Sequence, residues 1–266
     1  MTGSPYPRVE INGHTATAED LRRFVMVSSY GHFTAMQVRN RAVRGLDFHL
    51  DRLATATQEL YGTGLDGERV LDAIRHALWD DVDASVRVNV FRPDPNPRPA
   101  DEVSLLVSVR GPGAGPSGPQ SLMSVEHQRP VAHVKHVGGF GQGYFGNEAR
   151  AAGFDEALLV GHGGVISEGS ITNIGFADGD SVVWPDAPAL HGITMRVIER
   201  EMTAAGLPWR HQRVLVADVP SFDGAFVCNS RGIAPVSRLD DLVLPTDAGL
   251  VKRVIELFES ARWDAL

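Results

Sequence analysis

Val165-Ile-Ser-Glu-Gly-Ser-Ile-Thr-Asn173 reads as the end of one strand, a tight polar turn and the start of a second strand, Asn173 to Ala177, with the carboxylate of Glu168 at the junction. Thirty-three residues earlier stands Lys135, in His133-Val-Lys-His136, just after Val131 and Val134 and just before Val137 and a run of glycines (Gly138, Gly139, Gly141, Gly143, Gly146). Both charged residues thus sit among the apolar residues of a layered core. A lone charge there is costly, so each is expected to have a partner.

Short strands continue outward from this stretch. Ser121 to Val125, Val131 to Val134, Glu156 to Val160, Gly164 to Ile166, Ser181 to Trp184 and Ala225 to Cys228 have the length and apolar content of strands bounded by Gly/Asp turns. Helices are expected from Tyr144 to Ala152, Thr194 to Ala205 and Asp247 to Ala261, the last grouping Leu250, Val254, Leu257 and Phe258. Towards the N-terminus, Asp47 caps a helix with Leu50, Leu53, Thr57 and Leu60 on one face and Gly62 at its end. A second helix runs from about Glu68 to Leu78, followed by strands Val86 to Phe91 and Val103 to Val109. Gly111-Pro-Gly-Ala-Gly-Pro-Ser-Gly-Pro119 can propagate neither helix nor sheet and reads as a linker. The expected organisation is α+β in two domains: a small α/β domain over 1–110, the linker 111–119, and a larger β-rich domain over 120–266. A regular βαβ alternation is missing, which argues against a dinucleotide-binding sheet.

With 43% hydrophobic and 22% charged residues, the 266-residue chain has the composition of a soluble globular protein. Its net charge of −8 argues against nonspecific nucleic-acid binding. Cys228 stands alone, so no intrachain disulfide can form and a reducing cytoplasm is expected. The N-terminus has no signal-like apolar core, and no apolar run approaches the ~20 residues of a membrane span.

A lysine can hold an aldehyde as a Schiff base, and a carboxylate can keep a pyridine nitrogen protonated. The pair Lys135 and Glu168 therefore points to pyridoxal 5'-phosphate as cofactor. Eight segments share one order and spacing: Gly31-His-Phe-Thr-Ala-Met-Gln-Val38, Phe48-His-Leu-Asp-Arg-Leu53, Val134-Lys-His136, Asn147-Glu-Ala-Arg150, Gly153-Phe-Asp-Glu-Ala-Leu158, Ser167-Glu-Gly-Ser-Ile-Thr-Asn173, Leu190-His-Gly-Ile-Thr194 and Val227-Cys-Asn-Ser230. Together they resemble the class IV (fold type IV) pyridoxal-phosphate enzymes, which include branched-chain and D-amino-acid aminotransferases and aminodeoxychorismate lyase.

The resemblance implies roles. Lys135 is the Schiff-base residue and Glu168 the partner of the pyridine nitrogen, with Asn173 on the phenolic side or bracing the glutamate. Arg52 contacts the phosphate, as a guanidinium can with two parallel hydrogen bonds. Ile193 and Thr194 open a helix whose free N–H groups cradle the phosphate, and Asn229 and Ser230 form a second phosphate-side loop. Met195 stands where the family has an arginine, and Arg196 follows it, which leaves that arginine without a carried-over role. The glycines after Lys135 would leave room for the flat cofactor. Phe33, Arg87 and Asn89 face the substrate, and Arg98 and Arg110 are further carboxylate candidates. His133 and His136 are expected to be bystanders.

Three activities follow. The first is a transaminase moving an amino group between an amino acid or amine and a 2-keto acid. The second is an aminodeoxychorismate-lyase-like enzyme releasing pyruvate, favoured by the spellings Ile11-Asn-Gly-His14, Phe33-Thr34, Lys135-His136 and Cys228-Asn229. The third, a cofactor-binding protein without turnover, is disfavoured by the intact Lys135 and Glu168. In the family the site lies between the two domains and is completed by a second subunit, so the resemblance also implies a homodimer.

Overall fold

His32-Phe-Thr-Ala-Met-Gln-Val38 alternates buried and half-buried residues without a break, the period of a strand packed on one face only. It is the edge strand of the N-terminal sheet in the computed structural model, which describes residues 6–94 and 102–266. Two compact units are present. The first comprises Met1–Gly113, Val134–Gly138 and Arg262–Leu266; the second comprises Ala114–His133 and Gly139–Ala261.

In the first unit the elements are β1 (Arg8–Ile11), β2 (His14–Thr15), α1 (Ala18–Val27), β3 (His32–Val38), β4 (Ala42–Val43), α2 (Leu46–Tyr61), α3 (Gly67–Leu78), β5 (Ala84–Phe91) and β6 (Ser104–Arg110). The antiparallel sheet runs β2-β1-β6-β5-β3. Met36, Val38, Val86, Val88, Val90, Val107 and Val109 line its inner face against Leu53 of α2 and Ile74 and Leu78 of α3. Each of those three helix side chains is fully buried, worth roughly 1.5–3 kcal/mol apiece. The opposite face carries Phe33, Gln37, Ser85, Arg87, Asn89 and Arg110, brought side by side by the registers Phe33↔Asn89, Gln37↔Ser85 and Ser85↔Arg110. Neither β1, β2, α1 nor β3 was expected from periodicity; the amphipathic signal there is short and interrupted by polar turns.

The second unit holds β7 (Gln120–Glu126), α4 (Phe140–Ala151), β8 (Glu156–Gly161), β9 (Val165–Gly169), β10 (Asn173–Asp178), β11 (Ser181–Pro185), α5 (Ile193–Ala204), β12 (Trp209–Gln212), β13 (Gly224–Asn229), β14 (Gly232–Leu239), β15 (Leu242–Val243) and α6 (Gly249–Ser260). Its sheet follows β12-β11-β10-β13-β14-β7-β8-β9, with β15 on β14. Trp184 and Phe226 pack under α5 and α6 with Ile198, Met202, Val254 and Phe258. A last strand, β16 (Asp264–Ala265), returns the C-terminus to β4 in the first unit.

Several expectations are corrected. Residues 120–266 are not one unit, because Val134–Gly138 and Arg262–Leu266 belong with the N-terminal one. Their pairing energy lies there: the Phe33 N–H donates to the Lys135 carbonyl at 2.9 Å, and Val137 N–H to that of Gly31 at 3.0 Å. The linker has no regular structure, as expected, but its first part is sewn to the first unit, where Gly113 N–H donates to Gln37 and Ser85. Val131 to Val134 is a turn rather than a strand, with Val131 at φ 48° directly after Pro130. Asp47 lies inside the first turn of α2, whose cap is the left-handed Gly45. The glycines after Lys135 differ: α4 already begins at Phe140, where a Cβ on Gly141 would sit 2.4 Å from His127 Nε2, whereas one on Gly143 would meet nothing within 4 Å. Glycine at 141 buys close packing of the helix on its neighbour rather than room for a ligand.

Candidate active site

In the first unit, Lys135 lies on a segment without regular structure, tied to β3 by the bridge His32↔His136. Its amine lies 5.0 Å from the centre of the Phe33 ring, and the Arg87 guanidinium covers the same ring at 3.5 Å. Two cations at one aromatic ring are favoured by its quadrupole and disfavoured by each other. Arg87 Nε donates to Asn89 at 3.0 Å, and Asn89 is buried. Burial, and then the charge of Arg110, pull the Arg87 pKa below its usual value. Phe33, Arg87, Asn89 and Lys135 are thus brought together, with Arg110 adding to the positive field. Arg98 lies outside the described residues.

Behind this surface, His49 of α2 is fully enclosed, its Nδ1 2.6 Å from the hydroxyl of Thr34. Its pKa is pushed down to about 3, first by burial and then by the charges of Arg52 and Lys135. Arg52, one helical turn after His49, therefore acts electrostatically on the same spot as Lys135. The neutral histidine carries no charge to compete with an anion there.

In the second unit, Glu168 lies within β9 and is 5% exposed, not at the start of a turn. Arg129 Nε donates to its Oε1 at 2.7 Å, and the Leu190 N–H to its Oε2 at 3.2 Å. Arg129 is equally buried and also donates to the Ala132 carbonyl. A buried ion pair of this kind holds the carboxylate ionised, and removing one partner strands the other. Asn173 opens β10 and donates from Nδ2 to the Leu190 carbonyl at 2.6 Å. A Cβ on Gly192 would fall 2.0 Å from Asn173 Oδ1, so only glycine lets the chain pass.

Gly192 is the N-cap of α5 and makes no side-chain cap bond, leaving the first N–H groups of the helix, at Ile193 and Thr194, without one. Thr194 does not cap; its hydroxyl donates to the Asn229 carbonyl at 2.8 Å and ties α5 to β13. Asn229 Oδ1 accepts from Arg231 N–H, closing the turn that carries the exposed Ser230. Arg196 lies on α5, and Cys228 is buried, its thiol pKa raised by burial. Among the described residues no cluster of three or more His, Cys, Asp or Glu is placed to hold a metal. Nor is any described helix long and apolar enough to cross a membrane.

Reading the sequence missed Arg129, which no local pattern ties to Glu168 and which is only one of 25 Lys and Arg residues. The burial of Glu168 called for a cation without saying which. It also missed Glu156, whose buried carboxylate accepts from Ile171 N–H at 2.6 Å and from the hydroxyls of Thr172 and Ser170, fixing the turn between β9 and β10. Burial raises the Glu156 pKa. A carboxylate twelve residues before Glu168 carries no pattern that announces this.

Residues 31–239 match the family model of amino-transferase class IV. A probable branched-chain-amino-acid aminotransferase of Rickettsia felis is 36% identical over 81 residues, 30% of this chain and 28% of that protein. The chain thus aligns with under a third of the length of such curated relatives. The structure of the branched-chain aminotransferase from Thermoproteus uzoniensis with norvaline superposes with a TM-score of 0.83 at 19% identity, covering 95% of this chain and 93% of that one. A putative 4-amino-4-deoxychorismate lyase from Legionella pneumophila gives 0.78 at 18% identity over 89% and 92%. At these identities the superpositions establish the mixed α+β fold.

Proposed function

The chain belongs to the amino-transferase class IV family, and from that premise we propose that it is a pyridoxal-phosphate-dependent transaminase. It would move an amino group between an amino acid or amine and a 2-keto acid. The observation that carries the reading is Glu168: a buried carboxylate, ion-paired to Arg129, hydrogen-bonded to a loop that runs directly into a helix start without a side-chain cap. That donor set fits the group. An ionised carboxylate suits a pyridinium, the N–H groups at Ile193 and Thr194 suit a phosphate, and Lys135 offers the amine.

The cofactor, when bound, supplies a carbonyl that condenses with amines and a ring that withdraws electrons from the carbon beside the nitrogen. Lys135 would anchor the cofactor covalently and, when free, move the proton at the substrate's α carbon. Glu168, braced by Asn173 through Leu190, would keep the ring nitrogen protonated. Arg52, Ile193, Thr194, Asn229 and Ser230 are the residues that would hold the phosphate, the Thr194 hydroxyl being engaged here with the Asn229 carbonyl. Arg87, Asn89 and Phe33 orient an anionic substrate, with Arg110 as a second positive charge on the same sheet face.

The test is an amino-acid panel added to purified protein with bound cofactor, followed by absorbance. Conversion to the pyridoxamine form, reversed by a keto acid, is expected. Pyruvate release from aminodeoxychorismate without an acceptor would assign the lyase reaction instead, and binding without either change would leave a cofactor-binding protein. We further propose a cytoplasmic homodimer; light scattering showing full activity at single-chain mass would refute the dimer.

A further inference from the structure

Between β11 and α5 runs Asp186-Ala-Pro-Ala-Leu-His-Gly192, without regular structure. Through one residue, Leu190, it touches both Glu168 and Asn173. The next residue is fastened elsewhere. His191 Nε2 lies 2.7 Å from Glu199 Oε2, and the other oxygen of Glu199 lies 3.3 Å from Nε2 of His211 on β12. Glu199 is deep in α5 with its side chain 8% exposed, whereas the two imidazoles are 54% and 40% exposed. The rings meet edge to face at 6.2 Å. Both side-chain bonds to this buried carboxylate therefore come from half-exposed imidazoles, one in the loop and one on β12.

We propose that His191 and Glu199 are positioning residues for Glu168: the His191–Glu199–His211 cluster pins the loop so that the Leu190 N–H meets Glu168 Oε2. An imidazole Nε2 on each carboxylate oxygen holds the Glu199 side chain from two elements at once, and His191 carries that hold directly into the loop beside Leu190. Other groups bear on the cluster. Asp186 lines the same cavity of about 90 Å³, Arg196 shares α5, and on β13 the Cys228 thiol is pushed up by burial and then by the charge of Glu199. The pairing with Glu168 as the ring-nitrogen partner rests on the function proposed above.

Two readouts separate the proposals. In cofactor-free protein, the Leu190 amide signal should move in both Glu199→Gln and His191→Ala, because the unpinned loop no longer holds its N–H on Glu168. With cofactor bound, both variants should change the visible band of the cofactor and lower kcat several-fold while changing KM for the amino donor less. His191→Gln, which keeps a donor, should restore most of kcat and the native band. A Leu190 amide unmoved by Glu199→Gln and His191→Ala, or a cofactor band and kcat indifferent to both, would overturn the proposal. A native chain that takes up no cofactor would instead overturn the functional reading, and with it the link to the ring, even if the Leu190 amide moves.

Discussion

Lys135 and Glu168 are held in opposite ways. Lys135 sits half-buried on backbone without regular structure, in a five-residue piece attached to β3 by main-chain hydrogen bonds. Glu168 sits within a strand, 5% exposed, with a donor on each oxygen and a glutamate of its own, Glu156, fixing the turn behind it. The difference matches the roles proposed for the two residues. An amine that bonds to a cofactor, lets go and moves a proton needs slack along its side chain. A carboxylate that stabilises charge works best when it does not reorganise.

Lys135→Ala should have the largest effect on this comparison. Multiple turnover is expected to fall by about 10³-fold or more with the fold intact. The chain has only two lysines, Lys135 and Lys252, so borohydride reduction and peptide mapping decide which holds the cofactor. A label on Lys252, or retained turnover, would end the assignment.

Breaking the rigid half should cost stability. Arg129→Met strands a buried carboxylate, and urea denaturation should show a loss of about 3–5 kcal/mol. Adding Glu168→Gln should return part of that loss. Additive effects would mean the 2.7 Å contact carries no coupling.

Acid should separate the two units. His32 and His49, in the first unit, have pKa values lowered by burial from 6.5 to about 4 and about 3. Between pH 6.5 and those values the unfolded chain binds more protons than the folded one, so their contribution, fully present above 6.5, is lost as pH falls. At about 1.4 kcal/mol per unit this amounts to a few kcal/mol for each histidine. Glu156, in the second unit, has a raised pKa, so the folded form binds the extra proton and acidification favours it. Hydrogen exchange across this range should show the first unit opening first; the reverse order, or His49→Gln leaving the acid transition unmoved, would contradict it.

The smallest effect contrasts two glycines. A Cβ on Gly169 would meet Thr172 Oγ1 at 2.1 Å and Glu156 Oε1 at 2.6 Å, whereas one on Gly64 meets nothing within 4 Å. Gly169→Ala should lower the thermal midpoint by an amount equivalent to about 1–3 kcal/mol, and Gly64→Ala should be neutral or slightly stabilising. Equal midpoints for both would show that the turn behind Glu168 has slack after all.

Elements with an uninterrupted period were legible. The face of α2 with Leu50, Leu53 and Thr57, the inward side of α3, and the grouping of Leu250, Val254 and Phe258 on α6 all follow from spacing, because burial of a stripe is a local property of the chain. The family was likewise legible from residue type and order. Contacts made at long range were not. Nothing near Arg129 in the chain points to Glu168, thirty-nine residues on, and nothing in Val131-Ala-His-Val134 announces a left-handed turn instead of a strand. The return of Val134–Gly138 to the N-terminal unit, the sealing of His49 under Thr34 and the clasp of Glu199 by two histidines were decided by tertiary structure. The reason is physical: a side chain's neighbours along the chain set its conformational preference, but the partner that neutralises a buried charge is chosen by whatever the fold brings within 3 Å.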